Sequence, residues 1–403
     1  MERLRVAVFH NRYLHRGGED TAVDTEVRLL QEAGHEVRTC FVDNRDEIGG
    51  RTGGALRAAA RARWNPESER RVAAMLRSGP IDVAHVHNFF PVFSGALHTA
   101  LHRRGVPVVQ TLHNYRLACG NGFLLRDGRV CEDCVGNRAW NAVRHGCYRG
   151  SRLQTAVWAE ATQLHRRLGT WDTRVDRYAL PTAFARDRLV ATGVDPTRAD
   201  VVPYVVEDPG PPSPPGTGAA YIGRLSPEKG VDLLIDAWRS LDAPLWIAGD
   251  GPAHEALRER AKSLGHVQLL GRRSRDEVKE LLRRVAFVVV PSRWYEISPF
   301  AAVEALAAGR PVVAWDGGAM RELIGDGGVL YSACAPDAVA GACRRLLESR
   351  ETLLACGTAA RKRYLERHAP ARGRERLEGL YRAAMQQRRA AARPSEDRAE
   401  AAT

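Results

Sequence analysis

The sequence has no apolar run approaching the ~18 residues that a membrane-spanning helix requires. It also has no signal-peptide core, because Met1 and the charged residues after it lead directly into a predicted strand. These two absences argue against an integral membrane protein and against a secreted one. We therefore expect the protein to work in the cytoplasm.

Acidic residues are comparatively few: 60 Lys and Arg stand against 48 Asp and Glu, which gives a formal net charge of +12 and a pI near 9.6. This balance favours an anionic partner, and nucleoside diphosphates, anionic lipids and nucleic acids all qualify. The arginines are scattered, however, and no helix-turn-helix, zinc-finger or mixed aromatic and basic signature accompanies them. We predict no nucleic-acid partner. A preference for arginine because it keeps the protein soluble explains the excess of basic residues equally well.

Hydrophobic residues make up 44% and charged residues 27% of the 403 residues, which is typical of a globular chain long enough for two domains. In the first half, short apolar runs alternate with stretches of helical periodicity. The predicted strands cover residues 5–10, 36–42, 81–86 and 106–112, and the predicted helices cover residues 21–33, 56–77 and 95–104. This alternation requires crossover helices and indicates a parallel sheet.

Residues 207–218 are rich in proline and glycine and predict an interdomain linker, after which the alternation begins again. The fold class is therefore α/β, with two doubly wound Rossmann-like domains facing across a cleft that holds the active site. The predicted parts are a first domain (1–206) with a cysteine-containing loop (117–149), a second domain (219–360), and a C-terminal helix (361–403) that packs back on the first domain and ends in a frayed tail.

Two glutamates, Glu296 and Glu304, stand eight positions apart near a predicted helix start. Ser298 and Pro299 between them predict an N-cap and a first-turn proline. The free N–H groups of such a terminus attract phosphate, and flanking carboxylates accept hydrogen bonds from sugar hydroxyls. The pattern is suited to a nucleotide-sugar.

A second loop, from Gly223 to Gly230, carries Arg224 and Lys229 after the first predicted strand of the second half. Arginine offers a planar fork and lysine a point charge, so together they can hold a diphosphate. A turn with two solvated cations is an equally good explanation of this loop alone. The glycine-rich turn at Gly249 is a weaker signal of the same kind, because glycine follows many strands.

The order of these segments resembles glycosyltransferase family 4, a family of retaining transferases with the GT-B fold, over nearly the whole chain. The resemblance implies that Arg224 and Lys229 bind the donor diphosphate, that Glu296 contacts the transferred sugar, that Glu304 holds the ribose, and that His113 lies near the donor sugar. It also assigns donor binding to Gly17, Gly18, Gly223, Gly249, Ser298, Pro299 and Phe300.

Two positions depart from the family pattern. Ile297 follows Glu296 where the family commonly has glycine, and this leaves the two glutamates in place. Asn114 stands where aspartate is frequent, which bears on the acceptor chemistry more than on the fold.

The chain contains no Asp-x-Asp pair, the metal clamp of the other large glycosyltransferase fold. We therefore predict a metal-independent reaction in which arginine, lysine and a helix terminus stabilise the leaving diphosphate. The resemblance implies attack from the face that the leaving group departs from, with a phosphate oxygen helping to take the acceptor's proton. On this hypothesis no side chain is an essential nucleophile, and no cofactor is required for catalysis.

Four of the eight cysteines fall in one loop, as Cys119, Cys131, Cys134 and Cys147. Disulfides are not expected in the cytoplasm, and a Cys-x2-Cys pair with two flanking thiols can form a structural zinc site. Free, partly buried thiols are the alternative. The loop resembles one in family-4 enzymes that make bacterial surface polysaccharides, which implies a role near the acceptor. The other four, predicted to lie in the core, are Cys40, Cys334, Cys343 and Cys356.

The acceptor is the least defined partner. A sugar, a lipid-linked sugar or a small molecule each fits, and UDP-, GDP- and dTDP-sugars are all candidate donors. The basic stretches 51–77 and 144–188 contain three tryptophans, and they are suited either to contact with the anionic inner face of a membrane or to simple solvation. The competing functions are a nucleotide-sugar epimerase of the same fold and a non-catalytic sugar-nucleotide sensor.

Overall fold

The computed structural model describes residues 3–12, 17–43, 54–136 and 138–392. The strands are β1 (Arg5–Arg12), β2 (Glu36–Asp43), β3 (Val83–Val86), β4 (Val108–Thr111), β5 (Leu125–Arg126), β6 (Arg129–Val130), β7 (Arg177–Leu180), β8 (Ala199–Val201), β9 (Ala219–Ile222), β10 (Leu245–Ala248), β11 (Val267–Gly271), β12 (Phe287–Val290), β13 (Val312–Trp315) and β14 (Gly328–Tyr331).

The helices are α1 (Gly18–Glu32), α2 (Gly54–Arg63), α3 (Glu67–Arg77), α4 (Ala96–Arg103), α5 (Asn141–His145), α6 (Arg152–Arg167), α7 (Thr170–Thr173), α8 (Ala183–Val190), α9 (Val231–Trp238), α10 (His254–Ala261), α11 (Arg275–Arg284), α12 (Phe300–Ala307), α13 (Met320–Ile324), α14 (Pro336–Glu348), α15 (Arg350–Arg367) and α16 (Pro370–Ala392). Short 3-10 turns cover Pro196–Arg198 and Pro227–Lys229.

Two six-stranded parallel sheets form the two domains. The N-terminal sheet has the order β2-β1-β3-β4-β7-β8, and the C-terminal sheet has the order β11-β10-β9-β12-β13-β14. All pairs within both sheets are parallel. Buried aliphatic strands covered by helices on both faces are what such sheets require. The α/β fold with two doubly wound domains is therefore confirmed.

The linker of residues 207–218 is fixed to the C-terminal domain by Arg310, whose side chain is buried. Its guanidinium donates to the carbonyls of Leu282, Arg283, Ser213 and Pro214 and to the Ser213 hydroxyl. A buried arginine must satisfy its five donors, and here carbonyls do so in place of a carboxylate. The linker therefore follows a defined path.

The chain returns to the first domain at His368. Helix α15 packs on α12 in the C-terminal domain, whereas α16 packs on β3, β4 and β7. On α16, Leu380, Tyr381 and Ala384 join the core of the N-terminal sheet. The crossing thus lies at His368, eight residues beyond the predicted boundary at 360, because α15 continues unbroken to Arg367. The tail after residue 392 lies outside the described residues.

Two helices replace the single helix predicted for residues 56–77. They are separated at Asn65 and Pro66, because Asn65 Nδ2 donates to the Val92 carbonyl over 2.6 Å and its Oδ1 accepts from the Glu67 amide over 3.1 Å. Among the described residues, none of the helices combines the length and apolar character needed to cross a membrane.

Candidate active site

Glu296 is the centre of the predicted site, and the structure buries it with three hydrogen bonds to one oxygen. Its Oε1 accepts from Lys229 Nζ over 2.6 Å, from Ser292 Oγ over 2.6 Å and from Trp294 Nε1 over 3.0 Å. Charge-assisted bonds of this length hold the carboxylate firmly. No described residue bonds to Oε2, so this oxygen is available to a ligand hydroxyl.

Lys229 reaches Glu296 because the loop after β9 is locked against the loop after β12. Gly230 has a φ of +67°. A Cβ there would lie 2.1 Å from the Pro291 carbonyl oxygen, so only glycine allows this approach. The Arg293 amide also donates to the Glu228 carbonyl over 2.9 Å. The ammonium of Lys229 then lies 5.1 Å from the Trp294 ring centroid.

Arg224 lies in the same loop and is exposed. Its guanidinium has no hydrogen bond or ion pair with any residue that the structure describes. Below it, Gly223 and Gly249 follow adjacent strands, and a Cβ on Gly249 would lie 1.8 Å from the Gly223 carbonyl oxygen. The two glycines therefore bring two strand-end loops into direct backbone contact and leave Arg224 above them.

The segment from Ser298 to Phe300 differs from its prediction. Helix α12 begins at Phe300, Pro299 is its N-cap residue in extended conformation, and no side chain caps it. The predicted capping role of Ser298 is therefore wrong: its hydroxyl is buried without a hydrogen-bond partner among the described residues. Ala302 and Val303 donate to the Pro299 carbonyl, so the amides before them lie ahead of the first bonded turn.

Glu304 faces a different part of the cleft. It lines a cavity between the domains, together with Phe300 from its own helix. Its other walls come from α1, the linker and α11, through Thr21, Thr25, Arg28, Glu207, Pro209, Arg275, Val278, Lys279 and Leu282. Burial raises the pKa of Glu304 to about 7, although Arg275 and Lys279 act in the opposite direction. Glu296, Arg224 and Lys229 do not line this cavity.

Phe300 connects these two parts of the site to the N-terminal domain. Its ring stacks on Tyr204 at 5.0 Å between centroids. A Cβ on Gly18 would lie 3.3 Å from the same ring, so Gly18 allows α1 to approach it closely. Gly17, by contrast, has open space at its Cβ position. Of the two glycines to which donor binding is assigned, Gly18 is therefore the one that makes a close approach, and the atoms that it meets belong to Phe300.

His113 is buried, and both of its ring nitrogens already have partners. Nδ1 lies 2.7 Å from the Tyr204 hydroxyl and Nε2 lies 3.0 Å from His87 Nδ1. Burial, with His10 and His85 nearby, holds the pKa of His113 well below its usual value. The His113 ring stacks on Tyr204, which in turn stacks on Phe300, and among the described residues no hydrogen bond joins His113 to Glu296.

Several site residues had no distinctive signal in the sequence. Ser292 and Trp294 lie in a short loop without periodicity, and no sequence motif assigns them a role. Glu19 accepts from Asn114 Nδ2 over 2.7 Å, its Oε2 has no partner among the described residues, and burial raises its pKa. Only its position after the glycine pair could have indicated it.

The cysteine loop contacts the site through an aromatic pair. The Phe123 ring packs edge-on against Trp294 at 5.0 Å. All eight cysteines are free, and burial followed by the neighbouring thiols of Cys119 and Cys147 raises the pKa of Cys134 to about 12. Among the described residues, these four cysteines do not form a group at metal-ligand distances. Of the others, Cys343 is buried, whereas the prediction of a core position is wrong for Cys334, which is exposed.

Comparisons with known proteins agree with this geometry. Residues 16–208 match Glycosyltransferase Family 4, and residues 217–363 match Glycosyl transferases group 1. The chain is 30% identical over 359 residues to D-inositol 3-phosphate glycosyltransferase of Acidothermus cellulolyticus, covering 80% of this chain and 71% of that protein. An uncharacterised glycosyltransferase of Methanocaldococcus jannaschii is 39% identical over 109 residues, which are 27% of this chain and 31% of the relative.

Among solved structures, Anabaena HepE in complex with UDP-glucose superposes with a TM-score of 0.65 at 14% identity, covering 94% of this chain and 99% of that one. Two paired Rossmann-like domains with a polar site between them define the class, a GT-B glycosyltransferase. The chain belongs to glycosyltransferase family 4, and it is an enzyme.

Proposed function

We propose that the enzyme transfers a hexose from a nucleoside-diphosphate sugar to a hydroxyl acceptor, with retention at the anomeric carbon and without a metal at the diphosphate. The observation that supports this proposal is the buried carboxylate of Glu296. One of its oxygens accepts hydrogen bonds from three donors, including Lys229, and the other has no hydrogen bond to a described residue. A free carboxylate oxygen in a fixed position can orient the hydroxyls of the transferred sugar.

The diphosphate is assigned to Arg224, Lys229 and the amides at the start of α12. Arg224 has an unused guanidinium fork, and the buried Ser298 hydroxyl is an additional donor without a partner. As the bond between the anomeric carbon and the phosphate breaks, negative charge grows on the leaving group. These cationic and dipolar groups stabilise that charge in the place of a metal ion.

The nucleoside is assigned to the cavity that contains Glu304. Ribose hydroxyls donate hydrogen bonds to the carboxylate of Glu304, which replaces part of the solvation that burial removes. Arg28, Arg275 and Lys279 add positive charge to the same cavity. The UDP-glucose complex of HepE, a protein of the same fold, is consistent with a nucleotide-sugar donor. UDP-, GDP- and dTDP-sugars are all included in the proposal.

The acceptor is a sugar, a lipid-linked sugar or a small molecule, and we place the enzyme in the cytoplasm with contact to the inner face of an anionic membrane. The N-terminal domain exposes Trp140 (54%) and Leu153 (78%) near the ends of two contacting helices, α5 and α6. The arginines Arg144, Arg149 and Arg152 are exposed in the same stretch. Apolar tips among cations are suited to an anionic lipid surface.

The test is transfer from UDP-, GDP- and dTDP-hexoses to a panel of hydroxyl acceptors, with product stereochemistry measured by NMR. We expect Lys229→Met and Glu296→Gln to lower kcat by about 100-fold to 1,000-fold. Lys262→Met is the control, because Lys262 lies on the surface of the same domain and pairs only with Glu259. Retained activity in both site variants would overturn the proposal.

Four further results would contradict parts of this proposal. A glycosyl adduct trapped on Glu296 would contradict the absence of a side-chain nucleophile. Incubation of the donor without acceptor should leave the sugar unchanged, and an altered sugar would instead indicate an epimerase. Binding of donor without transfer to any acceptor would indicate a sensor. Vesicle binding that is the same for neutral and anionic lipids would refute the membrane contact.

A further inference from the structure

A cluster of two histidines and one glutamate lies inside the N-terminal domain, apart from the residues assigned to the donor. Glu26 comes from α1, His85 lies on β3, and His87 directly follows the end of that strand. All three residues are more than nine-tenths buried. Glu26 Oε2 lies 3.7 Å from His85 Nδ1 and 3.7 Å from His87 Nε2. The three ligand atoms all lie within 4.8 Å of one another.

Two of these atoms have no hydrogen-bond partner among the described residues, namely Glu26 Oε2 and His87 Nε2. Buried polar atoms in folded proteins are nearly always paired, because leaving them unpaired costs the full loss of their hydration. The two atoms are 3.7 Å apart, which is too far for a direct hydrogen bond. The space between them is therefore the place for a third group.

We propose that Glu26, His85 and His87 bind a divalent transition-metal ion, with zinc favoured by the two imidazoles and one carboxylate. Bonds of about 2.0–2.1 Å in a tetrahedral site separate neighbouring ligand atoms by roughly 3.3–3.4 Å. The observed separations of 3.7 Å need only a small contraction to reach this value. His85 Nδ1 lies 2.8 Å from the Tyr381 hydroxyl, and it would exchange this hydrogen bond for the bond to the ion.

Neighbouring side chains hold both rings in the orientation that such a site needs. His87 Nδ1 lies 3.0 Å from His113 Nε2, and His85 Nε2 lies 2.7 Å from Thr111 Oγ1. With its Nε2 on the metal, His87 carries its proton on Nδ1 and donates it to His113. Second-layer bonds of this kind fix the tautomer of metal-ligating histidines. The His113–Tyr204 pair then continues the chain toward Phe300.

The ion would have a structural role. It would join α1 to β3 and lie next to Tyr381 of α16. The ion would therefore help to fix two helices to the N-terminal sheet. None of its ligands is assigned to the diphosphate, and the proposal is therefore independent of the proposed mechanism of transfer. It also differs from the predicted cysteine site, with which it shares no residue.

The experiment measures bound metal in the full-length protein, purified without chelators from cells supplied with zinc. We expect about one equivalent of zinc per chain, and a loss of at least fivefold in Glu26→Gln and in His87→Gln. Glu378→Gln is the matched control, because Glu378 on α16 is a buried glutamate that pairs with His35 and Arg382 and belongs to no metal-ligand group among the described residues. A Cys131→Ser/Cys134→Ser variant should keep its metal.

Folding of the variants is checked by circular dichroism and by Tm, so that loss of metal is not confused with loss of structure. Cobalt substitution separates the two candidate sites, because only thiolate ligands give a sulfur-to-cobalt charge-transfer band. A band of that type, or loss of metal only in the cysteine variant, would overturn the proposal. So would less than one-fifth of an equivalent in the unmodified protein, which would leave a buried water as the third group.

Discussion

The two domains bury different kinds of residue beneath the same kind of sheet. In the N-terminal sheet, β3 and β4 bury His85 and Gln110, whereas the central strands β12 and β13 of the C-terminal sheet bury valines. Between residues 219 and 367, the described structure contains no buried histidine. The core of the N-terminal domain thus contains a network of polar side chains, whereas the C-terminal domain has its buried polar side chains in loops.

This difference determines what each half can do. An aliphatic sheet is a stiff support, and it presents Lys229, Glu296 and Glu304 from its strand-end loops and from α12. A core with paired histidines and carboxylates is costly to disturb, because each partner left alone loses its hydrogen bonds. The stability of the N-terminal domain should therefore be most sensitive to substitutions that remove a buried charge. The stability of the C-terminal domain should be most sensitive to substitutions that change the size of a buried residue.

The largest effect is expected from breaking a buried ion pair of the N-terminal domain. Asp176 accepts from the Val108 amide over 2.7 Å and from Arg388 Nη2 over 2.8 Å. Asp176→Ala leaves Arg388 without its partner and should lower the free energy of unfolding by about 3–5 kcal/mol. Urea denaturation measures the change. The control is Asp316→Ala, which breaks an exposed pair with Arg321 in the other domain and should cost less than about 1 kcal/mol.

Equal losses of unfolding free energy in these two variants would contradict the comparison of the two domains. They would show that breaking the buried ion pair of the N-terminal domain costs no more than breaking the exposed ion pair of the C-terminal domain.

The next largest effect tests shape in the C-terminal domain. Gly249→Ala places a Cβ 1.8 Å from the Gly223 carbonyl oxygen. Such crowding should lower the free energy of unfolding by about 1–3 kcal/mol and displace the Arg224 loop. Gly341→Ala on α14 is the matched control, since its Cβ meets nothing within 4 Å and helical alanine should add about 0.5–1 kcal/mol. A neutral Gly249→Ala would show that the loops are not in fixed contact.

A smaller effect concerns the pH dependence of stability. Because burial raises the pKa of Glu304 from 4.5 to about 7, the folded protein keeps this proton over a range in which the unfolded chain loses it. The contribution of Glu304 to stability should therefore fall between pH 4.5 and pH 7, by up to about 3 kcal/mol, and then stay level. The difference in unfolding free energy between the unmodified protein and Glu304→Gln measures it.

A ribose that donates to the Glu304 carboxylate should bind better as the group ionises. UDP affinity is therefore expected to rise from pH 5.5 to pH 8 in the unmodified protein, by less than tenfold per pH unit, and to change less in Glu304→Gln. Calorimetric titration provides the measurement. A parallel pH profile in both proteins would remove Glu304 from the nucleoside site.

The smallest effect is predicted for Ser298. Its buried hydroxyl has no partner among the described residues, so Ser298→Ala should change the free energy of unfolding by less than about 1 kcal/mol. If the hydroxyl binds phosphate, the variant should still bind UDP severalfold more weakly. Unchanged affinity would show that the hydroxyl lies outside the phosphate site.

The fold could be predicted from the sequence, as could a helix start between Glu296 and Glu304, because both depend on local patterns. Apolar runs broken by glycine and proline mark strands and their ends, and residues 207–218 mark the linker. The exact start of α12 could not be predicted, because serine followed by proline is compatible with a helix beginning at either residue. Local preference favoured Ser298, whereas in the folded chain its side chain is buried and caps nothing.

Other features depend on partners that are distant in sequence. The engagement of both His113 nitrogens follows from Tyr204 and His87, which lie 91 and 26 residues away. Trp294 has no periodic pattern around it, and its role follows only from the loop geometry that brings it to Glu296. Such contacts are set by tertiary packing, which a single sequence does not display.

The connection between the domains has a mechanical consequence. The Val206 amide donates to the His368 carbonyl, and His368 Nδ1 lies 2.8 Å from the Tyr204 carbonyl oxygen, so the outgoing and the returning chain run side by side. Two hydrogen-bonded chain segments that run side by side can bend together out of the plane that they share, but they resist twisting along their length. Opening and closing of the cleft should therefore follow one arc, which would return Glu296 and the opposite wall to the same alignment in every cycle.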